Sequence, residues 1–351
     1  MIGAGIAGAA TARALARAGR HVIVLERFEL GHERGSSHGS SRIFRLNYPD
    51  ERYVRLAQTS LAGWRELEAE SGVTLLTQNG ALDLGTRALD NARALSSCGV
   101  PFELLGGTEA GKRWPLAVSA DEHAMFQPDG GVLAADRAHE LLVASARLAG
   151  AEFRKQAAAV ELVLARQLVH VRTSTEELRA SAAVVTAGPW APALLAPLGI
   201  VLPVVPTRET VVYLELDDAG ATPSLIDYAR VPHDDAGLAR AGQAGYALLA
   251  PGFGLKAGLH HSGPVTDPND DPPPERELAD WIVSWAQDRF PGAGRELVAE
   301  TCIYTNTLDE RFVLERHGRI VVGSACSGHG FKFAPEIGRT LAALAIEASE
   351  H

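Results

Sequence analysis

The chain has 351 residues, of which 46% are hydrophobic and 22% charged, with a formal net charge of -10 at pH 7. This length predicts two domains, and the absence of any run of about 18 apolar residues predicts a water-soluble protein without a membrane span. The acidic balance, without a block of lysine or arginine, excludes the usual footprint of a nucleic-acid or anionic-membrane partner.

Glycines at fixed offsets open the chain. Gly3, Gly5 and Gly8 form "GAGIAG", a GxGxxG pattern, which precedes an alanine-rich helical run and the apolar strand "HVIVLER". Such glycines permit a tight strand-to-helix turn, the approach of a pyrophosphate and close helix packing, and Glu26 can accept bonds from a ribose hydroxyl. The order predicts a dinucleotide site, FAD or NAD, rather than a glycine-rich turn without a ligand. Only two residues precede Gly3, so the first strand is unusually short, and the segment lacks the basic lead of a signal peptide.

The next stretch, "RGSSHGSSRIFRLNY" at 34–48, predicts a loop from its glycines and serines. It carries His38, Arg42 and Arg45, which are either solvated loop charges or an anion clamp. Arginine suits the bidentate binding of a carboxylate, and a neighbouring histidine can titrate near neutral pH.

The middle of the chain alternates helix and strand patterns. Apolar residues at helical spacing predict a long helix from Tyr53 to Glu70, with Trp64 in the core. The segment "GVTLLTQNGALDLGT" predicts a hairpin with its turn at Asn79 and Gly80. A strand or loop then leads into a capped helix that starts at about Asp136.

Two later strands end at small or charged residues. The segment "ASAAVVTAGPWAPALL" predicts a buried strand running into Ala187 and Gly188, where a parallel sheet can receive a ligand, although a plain turn is the alternative. Further strands are expected in "LPVVPTRETVVYLEL" and "YALLAPGFGLKAGLHH", followed by a surface loop at 262–277. Lys256 in "GLKAGLHH" is either a charge pointing to solvent or a desolvated amine.

The C-terminal region "IVVGSACSGHGFKFAPEIGRTLAALAIEA" predicts a buried strand, a glycine-rich turn and a final helix. The turn contains Ser327, His329 and Lys332. A helix N-terminus and a lysine together favour an anionic ligand, whereas the alternative is a tight turn with a solvated lysine.

The three cysteines bear on compartment and chemistry. Cys98, Cys302 and Cys326 are odd in number and far apart, without a CxxC or Cys/His metal spacing. This argues against a disulfide framework and a zinc site and favours a reducing cytoplasm. Taken alone, Cys302 in "ETCIYTNTLDERF" could equally be a small buried hydrophobe.

Together the motifs "GAGIAG", "GSSHGSSRIFRLNY", "GLKAGLHH", "CIYTNTLDERF" and "CSGHGFKF" resemble those of the monomeric sarcosine oxidase family, in the same order and over nearly the whole chain. Relatives in that family include N-methyltryptophan, pipecolate and fructosyl amino acid oxidases. The resemblance implies an α/β fold in which a Rossmann-like FAD-binding domain of the D-amino-acid-oxidase type is interleaved with an α+β substrate domain built on a mixed sheet. The expected FAD-binding domain comprises 1–79, 136–204 and 300–351, and the expected substrate domain comprises 80–135 and 205–299.

The resemblance also implies roles for single residues. Cys302 would form a thioether to the flavin 8α carbon, and His38 and Arg42 would lie beside the flavin ring. Lys256 would activate oxygen. The implied substrate-binding residues, of which the first two bind a carboxylate, are Arg45, Lys332 and His329. The implied contacts to FAD are Gly3, Gly5, Gly8, Glu26, Arg27, Ser36, Ala187, Gly188, Gly328 and Gly330.

The expected function is therefore an FAD-dependent oxidase of a secondary or N-methyl amino acid. A hydride equivalent moves from carbon to flavin N5, the imine hydrolyses, and O2 is reduced to hydrogen peroxide. A flavin dehydrogenase with another electron acceptor is the alternative, against which Lys256 argues, and a non-catalytic dinucleotide-binding protein is a third possibility. We expect a cytoplasmic monomer whose partners are a small amino acid and O2, without a metal. The chain ends at His351, sooner than is usual in the family, and the substrate stays open.

Overall fold

The computed structural model describes residues 1–216, 222–231 and 243–350. Its helices are α1 Ile6–Arg17, α2 Glu51–Ser71, α3 Ala88–Ser97, α4 Gly107–Arg113, α5 Ala135–Leu148, α6 Ala191–Leu195, α7 Arg276–Arg289 and α8 Ala334–Glu350. Its strands are β1 Ile23–Leu25, β2 Ser41–Phe44, β3 Leu76–Thr77, β4 Ala81–Leu84, β5 Glu103–Gly106, β6 His123–Gln127, β7 Gly131–Ala134, β8 Glu152–Arg154, β9 Ala159–Leu164, β10 Val169–Thr173, β11 Glu177–Ala180, β12 Ala183–Val185, β13 Val205–Leu216, β14 Ser224–Asp227, β15 Gly245–Ala250, β16 Gly254–Leu259, β17 Ala293–Asn306, β18 Val313–His317 and β19 Ile320–Ser324. Within these ranges, no helix is long and apolar enough to cross a membrane.

A mostly parallel sheet carries the N-terminal glycine motif. Ile2 forms parallel bridges to Leu25 of β1 and to Val185 of β12, so the residues before Gly3 lie between two longer strands. Strand β8 extends this sheet beyond β1, and β19 and the antiparallel β18 extend it beyond β12. The first strand is as short as its sequence, yet it joins both halves of the sheet.

Helices cover this sheet. Gly8 of α1 lies so close to the first strand that a Cβ there would stand 2.0 Å from the backbone oxygen of Gly3. Gly338 of α8 similarly approaches the backbone of Ala10. Small residues therefore allow α1 to pack closely against both the first strand and α8, since any larger side chain would force these backbones apart.

A second sheet of eight strands has the order β17-β13-β16-β15-β14-β4-β6-β5. One face of its central strands packs on α7 through a cluster that includes Val212, Leu255, Ile282 and Trp285. Strand β17 pairs with β13 along nearly its whole length. Because successive side chains in a strand point to opposite faces, the other face of β13, β16 and β17 is available to form a site.

Most of the expected elements are confirmed, but three local interpretations are wrong. The segment around Asn79 and Gly80 turns, yet it is not a hairpin, because β3 pairs with β7 whereas β4 pairs with β6 and β14. The stretch 34–48 is not all loop, since residues 41–44 form β2 against β7. The helix near Asp136 has Ala134 at its N-cap position and lacks a side-chain cap.

A buried ion pair ties α7 to β14. The Arg289 guanidinium donates from Nε to Asp227 Oδ2 at 2.7 Å and from Nη2 to Oδ1 at 3.0 Å, and both side chains are fully buried. Trp285 Nε1 also donates to Asp227 at 2.9 Å. The carboxylate also accepts the N–H groups of Ala229 and Arg230, so it receives five hydrogen bonds, which offset the cost of removing two charges from water.

Removing one partner of this pair should destabilise the fold. Asp227→Ala leaves the buried Arg289 with Glu122, 2.7 Å from its Nη1, as its remaining charged partner, and its Nε and Nη2 lose their acceptors. We therefore expect the free energy of unfolding to fall by about 3 kcal/mol. Chemical denaturation followed by circular dichroism measures it. Asp90→Ala, which breaks an exposed pair with Arg93, is the control and should have little effect. Equal effects of the two variants would contradict this account.

Candidate functional site

One cavity of about 1340 Å³ lies between the parallel sheet and the large sheet. It is larger than the roughly 300–1,000 Å³ of an ordinary small-molecule pocket. All but one of the residues predicted for the site line this cavity. The exception is Gly8, whose contact with the first strand allows α1 to pack.

The N-terminus of α1 opens onto the cavity. The backbone of Gly3, Ala4 and Gly5 lines it, and Gly5 has so little free space that a Cβ would stand 3.1 Å from Ser37 Oγ. The same hydroxyl accepts a hydrogen bond from the N–H of Ile6 at 3.0 Å. Backbone N–H groups at the positive end of a helix, without side chains in the way, form an anion site suited to a pyrophosphate.

Glu26 lies at the end of β1 beside this helix terminus. Its Oε2 accepts the N–H of Ala4 at 2.8 Å, and its Oε1 accepts that of Phe28 at 2.9 Å. Burial acts to raise the pKa of the Glu26 carboxyl, but the hydrogen bonds from His32 and these two N–H groups outweigh it and lower the pKa. The carboxylate is therefore ionised and fixed at neutral pH.

The other predicted contacts of this region fall in place around the cavity. Ala187 and Gly188 follow β12 in a turn where Gly188 has a φ of 53°. Arg27 lies on the surface side, with its guanidinium 5.6 Å from the centre of the Trp190 ring. Ser36 lines the cavity and accepts a hydrogen bond from Arg42 at its backbone oxygen.

The large sheet presents one face to the same cavity. Lys256 lies opposite Tyr213, and Cys302 lies opposite Glu209, so the pairing of β13 with its two neighbours places these side chains on one face. The period of two then adds His260 and Tyr304 to that face. All of these except Tyr213 and Glu209 line the cavity.

Lys256 is desolvated rather than exposed to solvent, with only 6% of its surface accessible. Its Nζ lies 5.3 Å from the centre of the Tyr213 ring. Burial and, after it, the Arg42 charge lower the pKa of Lys256 to about 7. The amine therefore changes its charge near neutral pH, which an exposed lysine does not do.

Arg42 and His38 lie next to Lys256. The Arg42 guanidinium donates to the backbone oxygens of Ser41, Ser36 and His38, and it lies 5.6 Å from the centre of the Phe331 ring. Burial and the neighbouring Arg42 lower the pKa of His38 to about 3. The expectation that His38 titrates near neutral pH is wrong, because this burial keeps the ring neutral.

Arg45 and Lys332 converge on Tyr48. The Arg45 guanidinium lies 4.4 Å from the centre of the Tyr48 ring, and Lys332 Nζ donates to Tyr48 Oη at 3.0 Å. Burial acts to lower the pKa of Arg45, but Tyr228 and Tyr48 outweigh it and raise the pKa, so the charge persists. Burial and then the Arg45 charge hold the pKa of Lys332 well below its usual value. A bound carboxylate beside these two groups would offset that cost.

The turn "SGHG" places His329 at the same point. Its Nδ1 lies 3.4 Å from Tyr48 Oη, and its Nε2 lies 3.0 Å from the backbone oxygen of Glu310. Burial and the Lys332 charge lower the pKa of His329 to about 3. The ring is therefore a neutral hydrogen-bonding group at pH 7.

Gly328 and Gly330 are required by close contacts. A Cβ on Gly328 would stand 2.2 Å from the Tyr304 ring and 2.5 Å from that of His260, and the φ of Gly328 is 72°. A Cβ on Gly330 would stand 1.6 Å from the backbone oxygen of Ala325. Both glycines line the cavity. Because Gly328 has no side chain, the turn can lie directly against Tyr304 and His260 of the large sheet.

Cys302 is a free, partly buried cysteine that lines the cavity. Burial raises the pKa of its thiol, and the charges of Arg42 and Lys256 oppose that rise. Cys326 lies nearby, since its Sγ accepts the N–H of Thr305 at 3.4 Å.

The sequence reasoning missed several residues of the site. Tyr48, His260 and Tyr304 line the cavity between the assigned cations. A signal for two of them was present, because His260 is four residues after Lys256 and Tyr304 is two after Cys302, which places each on the same face of its strand. Tyr228, close to Arg45, had no such signal.

The residues present fit an FAD molecule. The glycine cradle, the α1 terminus and Glu26 suit the pyrophosphate and ribose, and the cavity continues without a break to Lys256 and Cys302. The buried Nε2 of His38 lacks a hydrogen-bond partner among the described residues, so a polar group of a ligand can satisfy it.

Comparisons with known proteins agree with this geometry. The family model described as FAD dependent oxidoreductase matches residues 1–344. The chain is 35% identical to human peroxisomal sarcosine oxidase, over 99% of this chain and 91% of that protein. It is 30% identical to monomeric sarcosine oxidase of Bacillus sp. (strain B-0618), over 100% and 93%. A structure of a variant of NikD, titled an unusual amino acid oxidase, superimposes with a TM-score of 0.87 at 27% identity, over 99% and 92%.

Proposed function

Because the chain belongs to the family of FAD-dependent oxidoreductases, we propose that it oxidises a secondary or N-methyl amino acid and passes the electrons to O2, forming hydrogen peroxide. Membership confirms the expected fold class and the enzyme class, a sarcosine oxidase-like oxidoreductase acting on amino-acid C–N bonds. The observation that carries the narrower proposal is the convergence of Arg45 and Lys332 on Tyr48 in the cavity that also holds Lys256.

FAD would be held along the cavity. Gly3, Gly5 and the α1 terminus would bind its pyrophosphate, with Gly8 keeping the helix in place, and Glu26 would bind the ribose. The remaining proposed contacts are Arg27, Ser36, Ala187, Gly188, Gly328 and Gly330. When bound, FAD supplies the two-electron acceptor for oxidation of the C–N bond.

The substrate would be oriented through its carboxylate. Arg45 offers a charged planar donor group, and Lys332 and the neutral His329 lie within one hydrogen-bonded cluster around Tyr48. Fixing the carboxylate there would hold the reacting carbon in one place and keep water away from it. Such positioning raises the rate because the entropy of orientation is lost on binding, before the reaction begins. The imine product hydrolyses in water after release. With sarcosine the products would be glycine and formaldehyde.

Lys256 would act on oxygen. A fixed, desolvated ammonium stabilises negative charge as it develops on O2, because its orientation needs no rearrangement during the reaction. Arg42 contributes a second fixed positive charge, whereas His38 stays neutral and contributes a hydrogen-bonding group instead. A dehydrogenase with another acceptor has no use for a cation tuned in this way.

Cys302 would hold FAD covalently through a thioether from Sγ to the flavin 8α carbon. That bond would replace the thiol S–H and one C–H of the flavin 8-methyl group, and O2, the acceptor of the proposed reaction, would take up the two electrons released. The place of Cys302 in the cavity beside Arg42 and Lys256 supports the proposal, since these cations stabilise the thiolate that bond formation requires.

We also propose the domain organisation, the oligomeric state and the location of the protein. Residues 1–79, 136–204 and 300–351 would form the FAD-binding domain, and 80–135 and 205–299 the substrate domain. The protein would act as a monomer, as one similar protein is named. A cytoplasmic location rests on the three free cysteines, and a peroxisomal one, as named for the human relative, is the alternative.

Acid denaturation of the purified holoenzyme tests the covalent bond. We expect the flavin absorbance to stay with the precipitated polypeptide of the wild type and to appear in the supernatant of Cys302→Ser. Cys326→Ser, which changes a neighbouring thiol of the same cavity, is the control and should retain the flavin. Release of all flavin from the wild type would refute the attachment without touching the oxidase proposal.

Replacement of Lys256 tests its role with oxygen. We expect Lys256→Met to slow reoxidation of the reduced protein by air by about 10²–10³-fold, since one fixed electrostatic group is lost. Reduction by substrate under nitrogen should change far less. In the wild type, the reoxidation rate should fall as the pH rises through about 7, because the amine then loses its proton, and Lys256→Met should lose this dependence.

The control for this experiment is Lys155→Met, which removes an exposed lysine paired with Glu29 and should behave as the wild type. An unchanged reoxidation rate in Lys256→Met would remove the basis for an oxygen-activating lysine.

A substrate panel tests the reaction itself. Peroxide formation in air is measured with sarcosine, N-methyltryptophan, pipecolate, proline and glycated amino acids, and we expect turnover with at least one secondary amino acid. Turnover under nitrogen with a dye, but none in air, would favour the dehydrogenase. A protein that binds no flavin would favour the non-catalytic alternative.

A further inference from the structure

We propose that His260, His261 and Glu310 form a binding site for a transition-metal ion of the Zn²⁺ type at the rim of the cavity, and that the bound ion blocks access of the substrate. All three side chains come from described residues and supply two imidazole nitrogens and one carboxylate oxygen. Two histidines with one glutamate is a ligand set that proteins use for zinc.

The distances suit such an ion. The three donor atoms lie within 4.8 Å of one another, and His261 Nε2 lies 3.4 Å from Glu310 Oε1. Zinc bonds of about 2.0–2.2 Å in a tetrahedral arrangement place neighbouring donor atoms roughly 3.3–3.5 Å apart. The pair of His261 and Glu310 is already at this separation. The ring centres of His260 and His261 are 3.9 Å apart, and His260 would move toward the other two ligands when the ion binds.

A nitrogen without a partner points to the ligand. His261 Nε2 is buried and lacks a hydrogen bond among the described residues, although Glu310 Oε1 is within ion-pair distance. The two atoms are near each other without the alignment of a hydrogen bond. An ion bound between them satisfies both, whereas the protein alone leaves this nitrogen unsatisfied.

Neighbouring groups hold the ligands in position. Tyr304 Oη lies 3.4 Å from His260 Nδ1, which leaves Nε2 of that ring for the metal. The backbone oxygen of Glu310 is bound by His329 Nε2 at 3.0 Å and by Tyr53 Oη at 3.4 Å. Metal ligands are typically oriented by such second contacts. The backbone is left-handed at both His261 and Glu310, with φ angles of 55° and 58°.

The position predicts the consequence of binding. The Glu310 side chain is 46% exposed, and both Glu310 and His260 line the cavity. An ion bound there would pull His260, which forms part of the cavity wall, toward the rim. It would also occupy the space next to Tyr48. Three protein ligands leave the fourth position of a tetrahedral ion open to water, as in catalytic zinc sites. Binding does not depend on the proposed function, and only the inhibition does.

Calorimetric titration of Zn²⁺ into chelator-treated holoenzyme tests the binding. We expect one ion per chain and at least tenfold weaker affinity in His261→Gln and in Glu310→Gln, neither of which removes a proposed catalytic group. Mg²⁺ and Ca²⁺, which prefer oxygen ligands, should not bind. His317→Gln is the matched control, because His317 and Glu315 also lie 3.4 Å apart but both are exposed and outside the cavity.

Inhibition is measured in the peroxide assay. Zn²⁺ should inhibit the wild type and His317→Gln, in competition with substrate and reversibly on addition of chelator, and should inhibit the two ligand variants at least tenfold less. Thermal melting of each variant verifies that it is folded. Absence of zinc binding, or binding of equal strength in both ligand variants, overturns the site. Binding that leaves activity unchanged overturns the blocking role alone.

Discussion

The register between β13 and its two neighbours is the constraint on which the site depends. Lys256 pairs with Tyr213 and Cys302 pairs with Glu209, so one face of the three strands carries a lysine and a thiol. The rings of His260 and Tyr304 lie on the same face. The opposite face packs on α7. Because a slip of one residue exchanges the two faces, the same pairing that buries the apolar cluster also aims the reactive side chains into the cavity.

Desolvation then sorts the basic groups of this cavity by their charge. Arg45 keeps its charge because tyrosines surround it, and Lys256 is brought to the point of changing its charge near pH 7. His38 and His329 are held neutral. The basic groups of the cavity thus take three forms near pH 7: a permanent cation, a cation that can lose its proton, and neutral hydrogen-bonding rings.

Features that depend on residues close together in the chain could be predicted from the sequence, whereas features that depend on contacts between distant segments could not. The glycine motif and its helix depend on neighbouring residues, so they could be read from spacing. The false hairpin at Asn79 and Gly80 shows the limit, because a turn does not determine which strand each arm joins. The neutral state of His38 was equally inaccessible, since it arises from burial beside a sheet that lies two hundred residues away along the chain. His260 lies in the motif "GLKAGLHH" but was not predicted as a site residue, although the two-residue period of a strand places it on the same face as Lys256.

The long ladder between β13 and β17 has a further consequence for Cys302. Paired amide groups in the middle of a long ladder open later than those near its ends, since local opening begins at free ends and in loops. Cys302 lies in that middle, with paired residues on both sides along β17. A group attached there would be carried by a strand paired on both sides of the attachment point along the chain, so partial opening of the surface loops would leave it in place. If Cys302 holds FAD as proposed, the attachment point would lie on a long paired strand, whereas the turns around it could open to admit small molecules.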